Sequence, residues 1–119
     1  MAETPHLDPA AIAALQSLGP DGDISFLHEL IGIYLEDTPK RLAELDAALA
    51  RGDAAVAARA AHTIKGSSSN FGAAGLAQQA QQVEAQCKAG DCAAALALVP
   101  ALKAEIRLVA AALQELRGA

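Results

Sequence analysis

The sequence predicts an all-α fold: an antiparallel four-helix bundle with a short accessory helix at its N-terminal end. Three observations carry this. Alanine supplies 31 of 119 residues, and alanine is the best helix former and small enough to let helices approach closely. Apolar residues recur every three to four positions along four long stretches. No alternating run rich in Val, Ile or Thr offers a strand.

The elements follow from their punctuation. Asp8-Pro9 opens a helix over about 8–18 that Gly19-Pro20 ends. Asp23 caps the next stretch, and Gly52-Asp53 closes it and opens another. Pro39 falls inside residues 24–51, yet Ile31, Leu35, Thr38, Leu42, Leu45 and Leu49 stay within roughly 40° of one direction at ~100° per residue. A loop would scramble that phase, so one bent helix is expected. Two more helices are expected over about 54–71, ended by Gly72, and 74–89, striped by Leu76, Ala80, Val83 and Cys87. After Gly90-Asp91, the repeat of Ala95, Leu98/Val99, Leu102, Ile106, Val109, Leu113 and Leu116 runs straight through Pro100. The 119 residues are read as one domain, with the bundle over 24–117.

Composition excludes several functions. A formal net charge of -5 disfavours sequence-independent binding to nucleic acid or anionic membrane. No apolar run reaches the ~18 residues of a spanning helix, and the N-terminus carries no secretory pattern. The expected location is the cytoplasm, either free or as part of a membrane-anchored protein. Cys87 and Cys92, five apart across a Gly-Asp break, fit no zinc pattern and are read as reduced, packed thiols. The module is expected to be a monomer.

His62 stands apart from the core. With Ile64 as the reference direction, Ala57, Ala60, Ser68 and Phe71 fall within roughly 40° of it. His62 points roughly 160° away, Gly66 and Arg59 lie on the far side, Ser69 sits near 140° and Lys65 flanks at about 100°. A neutral imidazole is a nucleophile, and the ordinary value of ~6.5 leaves much of it neutral near pH 7. A phosphoryl group bound there needs a cation, which Lys65 at i+3 supplies. Gly66, at i+4, lowers helix propensity by ~1 kcal/mol relative to alanine, which suggests that something approaches the backbone closely. His62 has no His or Asp one turn away to share a metal. His6 and His28 receive no role.

The run His62-Thr-Ile-Lys65-Gly66-Ser-Ser-Ser-Asn-Phe-Gly72-Ala resembles the signature of the histidine phosphotransfer (HPt) family of two-component phosphorelays. There, His-x-x-Lys-Gly is followed by small residues and by a Gly six places after the first. Arg59-Ala-Ala, the Gly52-Asp53 turn, Leu76 and Val83-Glu84 fit as well, so the resemblance covers about residues 24–113. It implies that His62 accepts a phosphoryl group from a receiver-domain aspartate and passes it to another, with Lys65 beside the phosphoryl group. Catalytic groups and Mg²⁺ would belong to the receiver, so this chain needs no cofactor or metal. Where some relatives place a Gln facing the histidine, this chain has Glu84. A carboxylate there would repel phosphate, and bonding Lys65 or the imidazole is the alternative open to it. Ser69 is a further candidate for support, although small packing and surface roles are expected for Ser67, Ser68 and Ser69. Gly66 and Arg59 are candidates for docking, Arg59 equally for a solvated charge.

Three function classes remain. One is a relay carrier between receivers, free-standing or as the C-terminal module of a hybrid sensor kinase. The second is the phosphoacceptor domain of a chemotaxis-type kinase, and the third a non-catalytic receiver-binding adaptor. With no Gly-rich phosphate loop or acidic metal cluster, autonomous kinase activity is not expected. Phe26 and Ile33 lie off the core stripe, so either the first helix covers them with Ile12 and Leu15 or they join an apolar docking patch near His62.

Overall fold

The computed structural model describes residues 6–118. It is all-helical: α1 (Pro9–Ser17), a 3-10 turn (Pro20–Gly22), α2 (Ile24–Ala50), α3 (Ala54–Ser69), α4 (Ala74–Lys88) and α5 (Cys92–Leu116), with no strand among the described residues. The expected aspartate caps are in place. Asp8, Asp23, Asp53 and Asp91 each accept a backbone N–H of the first turn, at 3.0, 2.9, 3.2 and 2.9 Å. Each bond satisfies a donor that the helix itself leaves open. The 3-10 turn was not expected. It follows from Pro20 at its start and from Asp21, whose φ of 54° is one that aspartate tolerates better than most side chains.

Both internal prolines are accommodated. α2 runs through Pro39 and α5 through Pro100, with both rings on the exposed side. An outward ring leaves the freed carbonyl one turn back near water. The predicted stripes are the buried faces: Ile31, Thr38, Leu45 and Leu49 in α2, Leu76, Ala80, Val83 and Cys87 in α4, and Ala95 to Leu113 in α5. Leu116, assigned to the α5 stripe, lies on the exposed side of the last turn.

α3 packs on α2 and α4, α4 on α5, and α5 returns against α2. The helices thus enclose one core in a body of 46 × 27 × 21 Å, elongated along its long elements. In α3 the buried residues are Ala57, Ala58, Ala60, Ala61, Ile64 and Ser68. That run of small side chains brings the α3 backbone close to both partners. The buried Tyr34 hydroxyl hydrogen-bonds Ser68 Oγ at 2.8 Å, and its ring meets Phe71 edge-on with centroids 5.4 Å apart. Burial pushes the Tyr34 phenol above its usual range, against the opposing effect of hydrogen bonds with Ser68 and Thr38. The phenol therefore stays protonated as part of the packing between α2 and α3.

The N-terminal segment is anchored less by α1, which has no buried residue, than by Leu7 just before it. His6 Nδ1 adds a 2.9 Å contact to Glu105 of α5. Ile12 and Leu15 are half-buried against the core. Of the two off-stripe residues, Phe26 is half-buried, whereas Ile33 remains 60% exposed. Ile33 borders a shallow groove with Leu15, Leu30, Tyr34 and Phe71.

Gly72 is where this segment meets the turn between α3 and α4. Its φ is 69°, and a Cβ there would overlap the Asp8 Cβ and stand 3.0 Å from that of Ala11. Gly72→Ala combines left-handed strain of about 1–3 kcal/mol with displacement of the α1 entry. The expected outcome is a urea midpoint lowered by at least that equivalent, with easier proteolysis ahead of α2. An unchanged midpoint would show that the turn relaxes freely.

Candidate functional site

His62 sits near the middle of α3 on the face turned from the core, as the helical phase required, with its side chain 62% exposed. Its Nδ1 lies 3.1 Å from Glu84 Oε2 on α4. A carboxylate accepts and does not donate when ionised, so Nδ1 carries the hydrogen of this bond. The neutral imidazole then presents the lone pair of Nε2 outward. One hydrogen bond thus selects both the tautomer and the ring orientation, as carboxylates do for metal-ligating histidines.

Glu84 is the buried member of the cluster, its side chain 6% exposed. Lys65 Nζ stands 3.1 Å from Oε1 and Lys88 Nζ 3.0 Å from Oε2. Burial alone would raise this carboxyl. Bonds from Lys88 and Lys65, the Lys65 charge and the His62 bond outweigh it and hold the group below the usual carboxylate range. Lys65, Gln81, Glu84, Ala85 and Lys88 line a shallow hollow beside the histidine.

The other expected site residues separate. Gly66 is exposed on the open face, and a Cβ there would meet nothing within 4 Å, so no intramolecular packing requires the glycine. Arg59 is exposed one turn before His62. Ser69 does not face the cluster: its hydroxyl donates to the Lys65 carbonyl at 2.9 Å. Ser67 and Thr63 bond back to the carbonyls of Thr63 and Arg59 in the same way, at 3.0 Å each. These hydroxyls spend their donors on their own helix. Ser68 faces inward to Tyr34. Lys88 was passed over in the sequence, although a Glu-Lys pair at i,i+4 on one helix was the available signal.

Cys87 is buried and Cys92 half-buried, both free. Burial, then Cys92 and Glu84, push the Cys87 thiol upward, so it remains a packed thiol. Among the described residues, no group of three or more His, Cys, Asp or Glu is placed to hold a metal ion, and no helix is long and apolar enough to cross a membrane.

The family model of the Hpt domain matches residues 29–118. The crystal structure of histidine-containing phosphotransfer protein B from Pseudomonas aeruginosa PAO1 is similar at 33% identity and a TM-score of 0.87, covering 98% of this chain and 97% of that one. A search of curated proteins found no match. The match over three quarters of the chain, on an all-helical scaffold with an outward histidine, means that this chain belongs to the Hpt domain family and has a phosphorelay phosphotransfer function.

Proposed function

We propose that the chain carries a phosphoryl group on His62 Nε2 between receiver aspartates, without kinase activity of its own. The observation that carries this reading is the bond from His62 Nδ1 to a buried, ionised Glu84, which leaves Nε2 free and outward. In transfer, the P–O bond of an aspartyl phosphate breaks as the P–Nε2 bond forms, and the receiver carboxylate leaves with the electron pair. Nδ1 keeps its proton, so the ring gains positive charge as the bond forms. Glu84 meets that charge. The carboxylate therefore favours the phosphorylated ring, and its repulsion of the phosphoryl oxygens is offset by the lysines already bound to it.

Lys65 supplies the cation for those oxygens by turning from Glu84 toward Nε2. Gly66 leaves the backbone beside His62 open to a protein surface, and Arg59 lies on the same exposed face. We assign Mg²⁺ and the catalytic carboxylates to the receiver. The finer architecture consistent with the helix packing and short joins is an antiparallel four-helix bundle with α1 as an accessory. The partners we infer are receiver domains, approached by a monomer in the cytoplasm.

The direct test is labelling by a phosphorylated receiver, with ATP and Mg²⁺ alone as the control. Label is expected only from the receiver, and His62→Gln is expected to abolish it while helicity and melting stay near those of the parent. Label retained at the parent level, or moved to His6 or His28, would overturn the assignment.

Gly66 separates docking from chemistry. Open space around it means that Gly66→Gln should fold at least as stably as the parent, by up to ~1 kcal/mol. Transfer from a receiver should nevertheless fall at least tenfold, a barrier of ~1.4 kcal/mol. Phosphoramidate, which needs no protein surface, should label it nearly normally. Equal loss with both donors would mean that the new side chain disturbs the imidazole.

Glu84 makes a pH-dependent contribution to stability. Its carboxyl is held below the ordinary value of 4.5, so the contribution is complete above that value and is lost as pH falls through the lowered one. Glu84→Gln should be less stable than the parent at pH 7 by about 1–2 kcal/mol. The gap in urea midpoints should narrow toward pH 3, because a protonated Glu84 no longer differs in charge from the amide. A gap independent of pH would assign the loss to packing.

A further inference from the structure

Lys88 is the member of the cluster that phosphoryl chemistry at His62 leaves without a task. It stands one turn beyond Glu84 on α4, and its Nζ lies 3.0 Å from Oε2. That same oxygen accepts from His62 Nδ1 at 3.1 Å, while Lys65 occupies Oε1. An i,i+4 Glu-Lys pair on a helix surface is ordinarily weak, because water screens both charges. Here only one partner is in water: Lys88 is 68% exposed and Glu84 is 6% exposed. A carboxylate so enclosed requires a cation, and its field reaches the imidazole through protein.

The two lysines cannot exchange roles. Lys65 is on the phosphoacceptor helix itself, one turn from His62, and is the cation that can turn to the phosphoryl oxygens. When it does, Glu84 keeps Lys88 as its one lysine, beside the Nδ1–H of the ring. Without Lys88, the turned Lys65 would leave the buried carboxylate with only the N–H of a neutral imidazole until the P–N bond forms, beside an incoming phosphoryl dianion. We propose that Lys88 is a positioning residue of the phosphoryl site: it keeps Glu84 neutralised, so that Glu84 can orient His62 while Lys65 moves to the phosphoryl group. This rests on His62 being the phosphoacceptor. The charged groups facing His62 are Glu84 and Lys88 from α4 and Lys65 from α3, with Arg59 one turn earlier on its exposed face.

The test uses the full chain, Lys88→Gln and Lys88→Arg, with phosphoramidate as donor so that receiver docking plays no part. In Lys88→Gln the labelling rate at neutral pH should fall about two- to fivefold, the range expected for an exposed cation. The acid limb of its pH profile should move to higher pH, because an imidazole beside a less neutralised carboxylate keeps its proton longer. The His62 ring signals in an NMR titration should move the same way, and Lys88→Arg should restore both. A merely structural lysine would alter melting and leave profile and titration where they were. Parent-like rate and titration in Lys88→Gln would overturn the proposal, as would failure of arginine to restore them. If the parent chain itself takes no label, the phosphoacceptor reading falls, and the titration still decides whether Lys88 acts on His62.

Discussion

Glu84 confronts α4 with a charge that has almost no access to water. A buried carboxylate persists ionised only where cations and donors replace its hydration. Three groups do so here, two from α4's surroundings on α3 and one from α4 itself: His62, Lys65 and Lys88. The orientation of the imidazole, the resting place of both lysines and the lowered carboxyl all follow from meeting that charge. The same contacts tie α3 to α4 at the level of the histidine, where alanines would otherwise supply only close packing.

The scaffold's part is to keep α3 straight and its phase correct. Ala57, Ala58, Ala60, Ala61 and Ile64 give the helix a smooth inner face, and the Tyr34 bond to Ser68 holds it against α2. With that face buried, the helical repeat turns His62 outward. Gly66 and the hydroxyl-rich stretch weaken α3 as an isolated helix. Thr63, Ser67 and Ser69 satisfy their hydroxyls on carbonyls of their own helix, and burial of Ser68 against Tyr34 helps hold the helix within the fold.

Charge location also explains how a carboxylate fits beside the phosphoryl site we propose at His62. In isolation Glu84 would repel phosphate. Paired with two lysines it becomes an oriented acceptor for Nδ1–H, and the lysines it gathers are held within reach of the ring. Under the proposed function, storing cations on a buried acid orders them in advance, so less ordering entropy has to be spent when a phosphoryl group arrives.

Local chemistry made much of this legible in the sequence. Asp8, Asp23, Asp53 and Asp91 act within their own first turns, and the stripes through Pro39 and Pro100 obey a period set by the backbone. The outward direction of His62, with Lys65 and Gly66 on its helix, depends on the same period. What the sequence could not decide lies between elements. Whether Glu84 would face phosphate, Lys65 or the imidazole depended on the rotation of α4 against α3. Ser69 was a candidate until its hydroxyl found a carbonyl of its own helix. Phe26 is half-buried with its Cβ close to Gly19 while Ile33 stays exposed, and the N-terminal segment is placed by Asp8 against Gly72, a contact spanning more than sixty residues of chain. Periodicity fixes directions about one helix axis, and only packing fixes how the axes are turned toward one another.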